Sequence, residues 1–361
     1  MKAAVLHEVN QPLVIEDVSL QKPGPREVLI RTSVAGLCHS DLHFMEGLYP
    51  HPLPAVLGHE SAGVVEQVGS DVTYVKPGDH VVTCLSVFCG TCDNCSTGRP
   101  VLCTDTTVKM LPGVSNRLSW ARSEKLNQFL NLSSFAEQML VHENAIVKIR
   151  KDMPLDLAAL IGCGVITGYG AVVNTAKVAP GETVVVIGCG GVGIAAIQGA
   201  RLSGAAVIVA VDPVETKHET AKRFGATHAV SPGQLGEVRA ELTGGEGFDY
   251  AFEVVGLPST IRSAWDAARR GGTVIIVGAG RGDHTVEFNP FELFFDGKTM
   301  HGSLYGSADV RRDFPRLIAL WQAGRLDLAG MITQRVTLDQ ADDALSALGR
   351  GDIIRQVIVY D

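Results

Sequence analysis

Hydrophobic and polar positions change rhythm along the chain. In the first 150 residues the apolar positions come in short alternating runs. Val28–Val34 alternates after the breaker Pro23-Gly24-Pro25, and Val64–Val68 and Val81–Val87 are strand-like, the last entered through Lys76-Pro77-Gly78-Asp79. This pattern predicts β-strands joined by turns, with Cys84 and Leu85 on the third strand. From about 105 to 128 the residues are polar and mixed with no period, which predicts a long loop. After Pro180-Gly181 the chain alternates apolar runs with helical stretches. Strands are predicted at Val184–Ile187, Ala206–Val211, Tyr250–Val255 and Thr273–Val277. Helices are predicted at Val192–Leu202, Val214–Phe224 and Ser259–Arg270. Such alternation predicts a parallel sheet with helices on both faces. The tail from 305 to 361 predicts two helices and a final strand, Gln356–Tyr360.

Composition adds bounds. A chain of 361 residues exceeds the ~250–300 that one core usually supports, so two domains are expected. With 46% hydrophobic and 19% charged residues, the composition fits a globular protein and argues against disorder. The net charge of −8 and the absence of a Lys/Arg cluster argue against nucleic acid and anionic membranes as partners. One stretch, Thr183–Ala200, carries no charge and is long enough to span a bilayer. Four glycines between Gly188 and Gly193 make it strand, turn and helix instead. At the N-terminus His7, Glu8, Glu16 and Asp17 interrupt any leader-like apolar run, so a cytoplasmic location is expected.

Eight cysteines without a leader point to metal or catalysis before disulfides. Cys89, Cys92, Cys95 and Cys103 have the spacing C-x2-C-x2-C-x7-C. Four thiolates on so short a loop fit one tetrahedral zinc in a closed, structural site. An iron–sulfur cluster and a pair of disulfides are the alternatives. The segment Gly188-Cys-Gly190-Gly191-Val192-Gly193 is G-x-G-x-x-G between a predicted strand and a predicted helix. That context suits a pyrophosphate at a helix N-terminus. Asp212 ends the next predicted strand, where a carboxylate accepts from ribose hydroxyls and repels a 2′-phosphate. Neither Pro213 nor Val214 offers a compensating cation, so NAD is expected over NADP. A third set is dispersed: Cys38-His39-Ser40-Asp41-Leu-His43, then Gly58-His59-Glu60, then Gly162-Cys163-Gly164. Together these offer two thiolates and an imidazole, with carboxylates beside two of them. Cys84 and Cys189 read as small buried residues.

With these motifs in this order, the chain resembles the zinc-dependent medium-chain alcohol dehydrogenases over essentially its whole length. Gly58-His59-Glu60-x2-Gly63-x5-Gly69-x2-Val72 matches that family's zinc signature at every fixed position. Members with a long loop after the four cysteines are the most similar in detail. The resemblance implies a doubly wound Rossmann sheet plus a β-rich GroES-like catalytic domain, a partly open barrel. It divides the chain into 1–164 (catalytic), 165–304 (NAD-binding) and 305–361 (return to the catalytic domain), with the active site in the cleft. It implies a catalytic zinc on Cys38, His59 and Cys163, with Asp41 and Glu60 orienting the ligands, and a second, structural zinc on the four clustered cysteines. Ser40 would take the alcohol proton and His43 would pass it on. Gly188, Gly190, Gly191, Val192, Gly193, Asp212, Lys217, Val277 and Ala279 would hold NAD. Arg355 would reach the pyrophosphate. His39 stands where other members carry an arginine for the same group. Ser40, Tyr49, Leu85, Phe129, Leu130, Ala279 and Leu304 would line the substrate pocket.

The activity so implied is reversible oxidation of a primary or secondary alcohol by NAD. Ser40, Leu85 and Ala279 enlarge the pocket, which favours medium-chain, aromatic or terpenoid alcohols over ethanol. A thiol-adduct formaldehyde dehydrogenase is the alternative. It needs cations at the pocket mouth, for which Arg117, Arg122 and Lys125 are candidates. A non-catalytic zinc and nucleotide binder is a third reading, against which the intact set of Cys38, His59, Cys163, Ser40 and His43 argues. The expected partners are a small alcohol or aldehyde and further copies of the chain, as a homodimer or homotetramer.

Overall fold

Alternating β-branched residues do build strands in the first third of the chain, and the strands form two layers. The structure is a computed structural model that describes residues 1–109, 117–120, 123–349 and 353–360, except the side chains of 123–125. Two units divide the chain: Met1–Gly164 with Asp309–Gly324 and Leu328–Asp361, and Val165–Ala308 with Arg325–Asp327.

In the first unit five strands close into a ring in the order Lys2–Leu6, Val14–Leu20, Leu118–Trp120, Ser123–Gln128 and Ala55–Val56. The barrel is therefore closed, where a partly open one is expected. Beside it lies a sheet in the order Ile146–Ile149, His80–Thr83, Ser61–Val68, Glu27–Leu37, Arg355–Val359 and Ile332–Val336. Gln138–His142 also pairs with Glu27–Leu37. Leu6, Val56, Leu57, Leu118, Leu126, Phe129 and Phe135 belong to one buried apolar cluster, which Val336, Leu345 and Ile358 also join.

Three sequence expectations need correction in this unit. The stretch 105–128 ends in two strands of the ring, because Leu118 and Leu126 are buried in that cluster although the intervening residues are polar. The strand expected at Val81–Val87 stops at Thr83, so Cys84 and Leu85 follow it rather than lie on it. The tail contains an additional strand, Ile332–Val336, parallel to Arg355–Val359. It sits at the sheet edge and exposes Thr333, Gln334 and Arg335, which erases the apolar alternation.

The second unit carries a six-stranded, fully parallel sheet in the order His228–Val230, Val207–Val211, Thr183–Ile187, Phe248–Glu253, Ala268–Ile276 and Thr299–Gly302. In chain order this is 3-2-1-4-5-6, the doubly wound dinucleotide-binding arrangement. The central strand is apolar throughout because both of its faces are covered: Val184, Val185 and Val186 are fully buried. Thr183–Ala200 is indeed strand, turn and helix, the helix being Gly191–Ser203. The helix expected to reach Arg270 stops at Ala267, and a strand begins at Ala268. The register shifts between the pairs Phe248–Ala268 and Tyr250–Thr273, so the intervening residues, including Gly271 and Gly272, are accommodated as a bulge.

Another apolar helical run, Leu155–Ala176, passes the length and hydropathy test for a membrane span, yet 78% of its most apolar window is buried within the structure. The helix Pro290–Asp296, which precedes the edge strand Thr299–Gly302 in the chain, exposes Phe291, Leu293, Phe294 and Phe295.

Candidate functional site

Cys38 precedes the short helix His39–Met45, and its N–H donates to Asp41 Oδ2 at 3.2 Å. Ser40 and His43 are three residues apart on this helix and so share a face. The Cys38 thiol approaches Ser40 Oγ at 3.8 Å. His59 and Glu60 immediately precede the strand Ser61–Val68. His59 Nδ1 donates to Asp41 Oδ1 at 2.9 Å, and the Gly58 N–H donates to the same oxygen at 3.2 Å. The other ring nitrogen of His59, Nε2, lies 3.3 Å from Cys163 Sγ.

Cys163 sits on a π-helical turn, Ile161–Val165, inside the long apolar helix. Such turns interrupt the regular ladder and are frequent at functional positions. Its neighbour must be glycine: a Cβ at Gly164 would stand 1.7 Å from Arg355 Nη2. The Gly164 N–H donates to Glu60 Oε2 at 3.0 Å, and the Arg355 guanidinium lies 3.2 Å from that oxygen. Arg355 also donates to the Leu37 carbonyl at 3.1 Å. Among the described residues this buried arginine therefore faces Glu60, the Leu37 carbonyl and the Cys38 thiol.

The ligand atoms of Cys38, His59 and Cys163 all lie within 4.8 Å of one another, and all three residues are buried. The hydrogen bond from the Cys163 thiol pulls the Cys38 thiol well below its ordinary range, with Arg355 and His59 adding to the effect and burial opposing it. Cys163 moves in the opposite direction, held up by Cys38 and by burial. Burial works against charge on His59, but the Asp41 carboxylate outweighs it and raises the imidazole well above its usual value. Burial pushes Glu60 up to about 7, with Arg355 opposing. Two thiols and an imidazole converging in this way leave a fourth tetrahedral position open, the donor set of an open zinc site.

The second cluster is built on a lobe with little regular structure. Sγ–Sγ separations are 3.5 Å for Cys92–Cys95, 3.9 Å for Cys89–Cys95 and 3.9 Å for Cys92–Cys103. A disulfide needs about 2.05 Å, whereas a tetrahedron with metal–sulfur bonds of about 2.3 Å has edges of about 3.8 Å. The cysteines are free. Backbone N–H groups of Cys89, Thr91 and Cys92 point at sulfur. Hydrogen bonds from the backbone of Thr104 and Cys95 bring the Cys92 thiol down to about 6. The geometry fits a four-thiolate zinc. Cys84 and Cys189 are fully buried and belong to neither cluster.

In the second unit the glycine turn follows Thr183–Ile187. Gly188 has φ +103°, and a Cβ at Gly193 would meet the Gly188 carbonyl at 1.8 Å, so helix and strand approach closely there. A Cβ at Gly190 would point into open space, the room a pyrophosphate needs beside the N–H groups of Gly191, Val192 and Gly193. Asp212, buried at the end of Val207–Val211, accepts from the N–H groups of Cys189 at 2.8 Å and Val214 at 3.0 Å, and Lys217 Nζ lies 3.6 Å away. Val277 and Ala279 follow the strand Ala268–Ile276.

The predicted pocket residues divide between the units. In the first, Phe129 packs edge-on against His59 at 5.9 Å and Phe44 at 4.7 Å, and Tyr49 lies 5.6 Å from His43. Tyr49 also lines a cavity of about 410 Å³ with Phe44, His51, Leu53 and Leu57. Sequence reading did not single out Phe44 or His51, because no spacing rule marks them. Leu85 and Leu130 are half-buried, and His39 is exposed. In the second unit Ala279 and Leu304 are exposed. Arg117 is no pocket-mouth cation: it is buried and paired with Glu27 at 2.5 Å. Arg122 and the Lys125 side chain lie outside the described residues.

Two family profiles match the chain: the alcohol dehydrogenase GroES-like domain over 24–151 and the zinc-binding dehydrogenase over 191–323. The chain is 40% identical over 366 residues to the NDMA-dependent alcohol dehydrogenase of Amycolatopsis methanolica, covering 99% of this chain and 98% of that one. It is 37% identical over 372 residues to S-(hydroxymethyl)glutathione dehydrogenase of Saccharomyces cerevisiae, covering 99% and 96%. The crystal structure of benzyl alcohol dehydrogenase from Acinetobacter calcoaceticus superposes with a TM-score of 0.93 at 33% identity, covering 100% of this chain and 99% of that one.

Proposed function

The chain belongs to the zinc-dependent medium-chain alcohol dehydrogenases, and on that premise we propose that it oxidises medium-chain, aromatic or terpenoid alcohols with NAD and reduces the corresponding carbonyl compounds. The observation that carries the reading is the convergence of Cys38, His59 and Cys163 beside the helix that holds Ser40 and His43. These three residues would hold the catalytic zinc, and Cys89, Cys92, Cys95 and Cys103 the structural one. When bound, zinc supplies Lewis acidity that makes an alcohol proton far easier to remove near neutral pH.

The chain's own residues do the remainder. Asp41 fixes the His59 ring so that Nε2 faces the sulfurs. Glu60, tied to the Gly164 N–H, fixes the turn that carries Cys163. Ser40 Oγ takes the alcohol proton. His43 passes it outward, and its buried Nδ1 has no hydrogen-bond partner among the described residues. NAD, when bound, accepts the hydride. Gly188–Gly193 would cradle its pyrophosphate, and Asp212 and Lys217 would hold the adenosine ribose. Serine at 40 and leucine rather than an aromatic ring at 85 support a bulky alcohol. A panel of short, medium-chain, aromatic and terpenoid alcohols, with an S-hydroxymethyl thiol as a further arm, tests the substrate class through kcat/KM. Highest efficiency on ethanol or on the thiol adduct would overturn it.

Two further results are expected. Ser40→Ala should lower turnover by ~10²–10⁴, the usual weight of a general acid–base step, while zinc content stays unchanged by elemental analysis. Near-normal turnover with full zinc would show that protons leave by another route. Because the Asp212 carboxylate would repel a 2′-phosphate, kcat/KM with NAD should exceed that with NADP by at least about a hundredfold, measured as initial rates with each cofactor. Equal efficiencies would remove Asp212 from the ribose site. The exposed phenylalanines of Pro290–Asp296 support assembly into a homodimer or homotetramer, which the molar mass in solution tests.

A further inference from the structure

Glu253 ends the strand Phe248–Glu253 at the carboxyl edge of the parallel sheet, where doubly wound folds bind ligands. It is a fully buried carboxylate. One of its oxygens, Oε1, accepts three hydrogen bonds: from the Val255 N–H at 2.9 Å, the Gly256 N–H at 2.8 Å and the Thr260 hydroxyl at 2.7 Å. The other oxygen is buried without a hydrogen-bond partner among the described residues. The Glu253 backbone carbonyl accepts from Val277 at 2.8 Å and Gly278 at 3.0 Å. A single residue therefore holds the turn Val254–Leu257 with its side chain and the start of the loop after Ala268–Ile276 with its backbone.

These two segments touch each other and the glycine turn. A Cβ at Gly256, whose φ is +91°, would meet the Ala279 carbonyl oxygen at 2.6 Å, and a Cβ at Gly278 would meet the Gly256 nitrogen at 2.2 Å. On the other side, a Cβ at Gly188 would meet Val255 Cγ2 at 2.8 Å. The Val254 N–H donates to the Ile187 carbonyl at 3.0 Å, just before the glycine turn. The turn that Glu253 organises is thus a spacer, packed between Gly188 on one side and Gly278–Ala279 on the other.

We propose that Glu253 is a positioning residue for the nicotinamide cofactor, its buried carboxylate setting the separation between the pyrophosphate turn Gly188–Gly193 and the segment Val277–Ala279. The proposal rests on the reading that both segments bind NAD. Glu253 acts here as an acceptor. Without Oε1, the Val255 and Gly256 N–H groups lose their acceptor and the Thr260 hydroxyl keeps only the Leu257 carbonyl at 2.9 Å, so the turn would have to open to reach water. Opening it moves Val255 against Gly188 and Gly256 against Ala279, so both halves of the cofactor lose their seats together. Glutamine keeps an acceptor oxygen at the same position; leucine does not.

The test compares Glu253→Gln, Glu253→Leu and Thr260→Val in the full chain. NADH binding is followed by fluorescence titration, and NAD and alcohol kinetics are measured alongside elemental zinc. Glu253→Leu is expected to raise the NADH Kd and the KM for NAD by at least about tenfold. The alcohol KM at saturating NAD and the zinc content should stay at wild-type values. Glu253→Gln should remain within about threefold of wild type in every constant. If Glu253→Leu does not fold, Thr260→Val, which removes one of three donors and leaves the carboxylate, should raise the same two constants by about two- to fivefold. The proposal is overturned if folded Glu253→Leu binds NADH within twofold of wild type, if Thr260→Val leaves both constants unchanged, or if Glu253→Gln is as impaired as Glu253→Leu. Failure of the wild-type protein itself to bind NADH would overturn the underlying NAD reading instead.

Discussion

Replacing Cys163 with alanine is expected to lower kcat/KM by at least about a thousandfold and to remove one of two zinc ions per chain. The size follows from the donor set. Only Cys38 and His59 would remain of the three converging ligands, and two protein ligands do not make the three-ligand catalytic zinc site. The Lewis acidity lost is worth several kcal/mol of transition-state stabilisation, and ~4 kcal/mol corresponds to about a thousandfold in rate. The fold should survive. Cys163 contributes little apolar contact beyond its own small side chain, and the helix around it is packed by Leu157, Leu160, Ile161 and Ile166. Elemental analysis, circular dichroism and steady-state kinetics on the same preparation make the check. A variant that keeps two zinc ions and activity within tenfold of wild type would remove Cys163 from the ligand set. Asp41→Asn should be milder, because an amide oxygen still accepts from His59 Nδ1.

Cys103→Ala is expected to act on stability first. It should release the other zinc ion and lower Tm by at least about 10 °C. The lobe that carries the four cysteines has only a one-turn helix, Asp93–Ser96, and a 3₁₀ turn, Pro100–Leu102. Leu102, the large apolar residue between these cysteines, is exposed, so the lobe has little apolar core to replace the metal. Structural zinc sites in small domains contribute apparent binding energies of ~10–16 kcal/mol, comparable with the ~5–15 kcal/mol that stabilises a whole domain. Loss of half of that, ~5–8 kcal/mol, at about 2–4 °C per kcal/mol, gives the expected shift. The lobe's root stays attached, since Asn144 donates to the Phe88 carbonyl at 2.7 Å and Arg311 donates to Asn144 at 2.9 Å. Some activity should therefore remain at low temperature. Calorimetry with zinc analysis tests this. An unchanged Tm with one zinc lost would make the cluster dispensable for folding, and two zinc ions retained would show that Cys103 is not a ligand.

The features legible in the sequence are those whose geometry is made by neighbours along the chain. Four cysteines within 15 residues meet because the loop between them is short, and no distant contact is needed to read them. Gly188–Gly193 is legible for the same reason: a strand, a tight turn and a helix N-terminus are local. The parallel sheet shows through its apolar runs because strands covered on both faces leave polar residues no place. The Cys38–His59–Cys163 convergence is of another kind. Its last two members are 104 positions apart, and without the resemblance each would be an unremarkable buried residue. Sheet pairing and the apolar helix bring them together. Tertiary structure alone decided that Arg355 lies against Glu60, that Arg117 is spent on Glu27, and that Ile332–Val336 is a strand despite its exposed polar face. It also decided the role of Glu253, one acid among many in the sequence. A carboxylate acquires such a role only from the N–H groups aimed at it and from its exclusion from water, and both come from how distant segments pack.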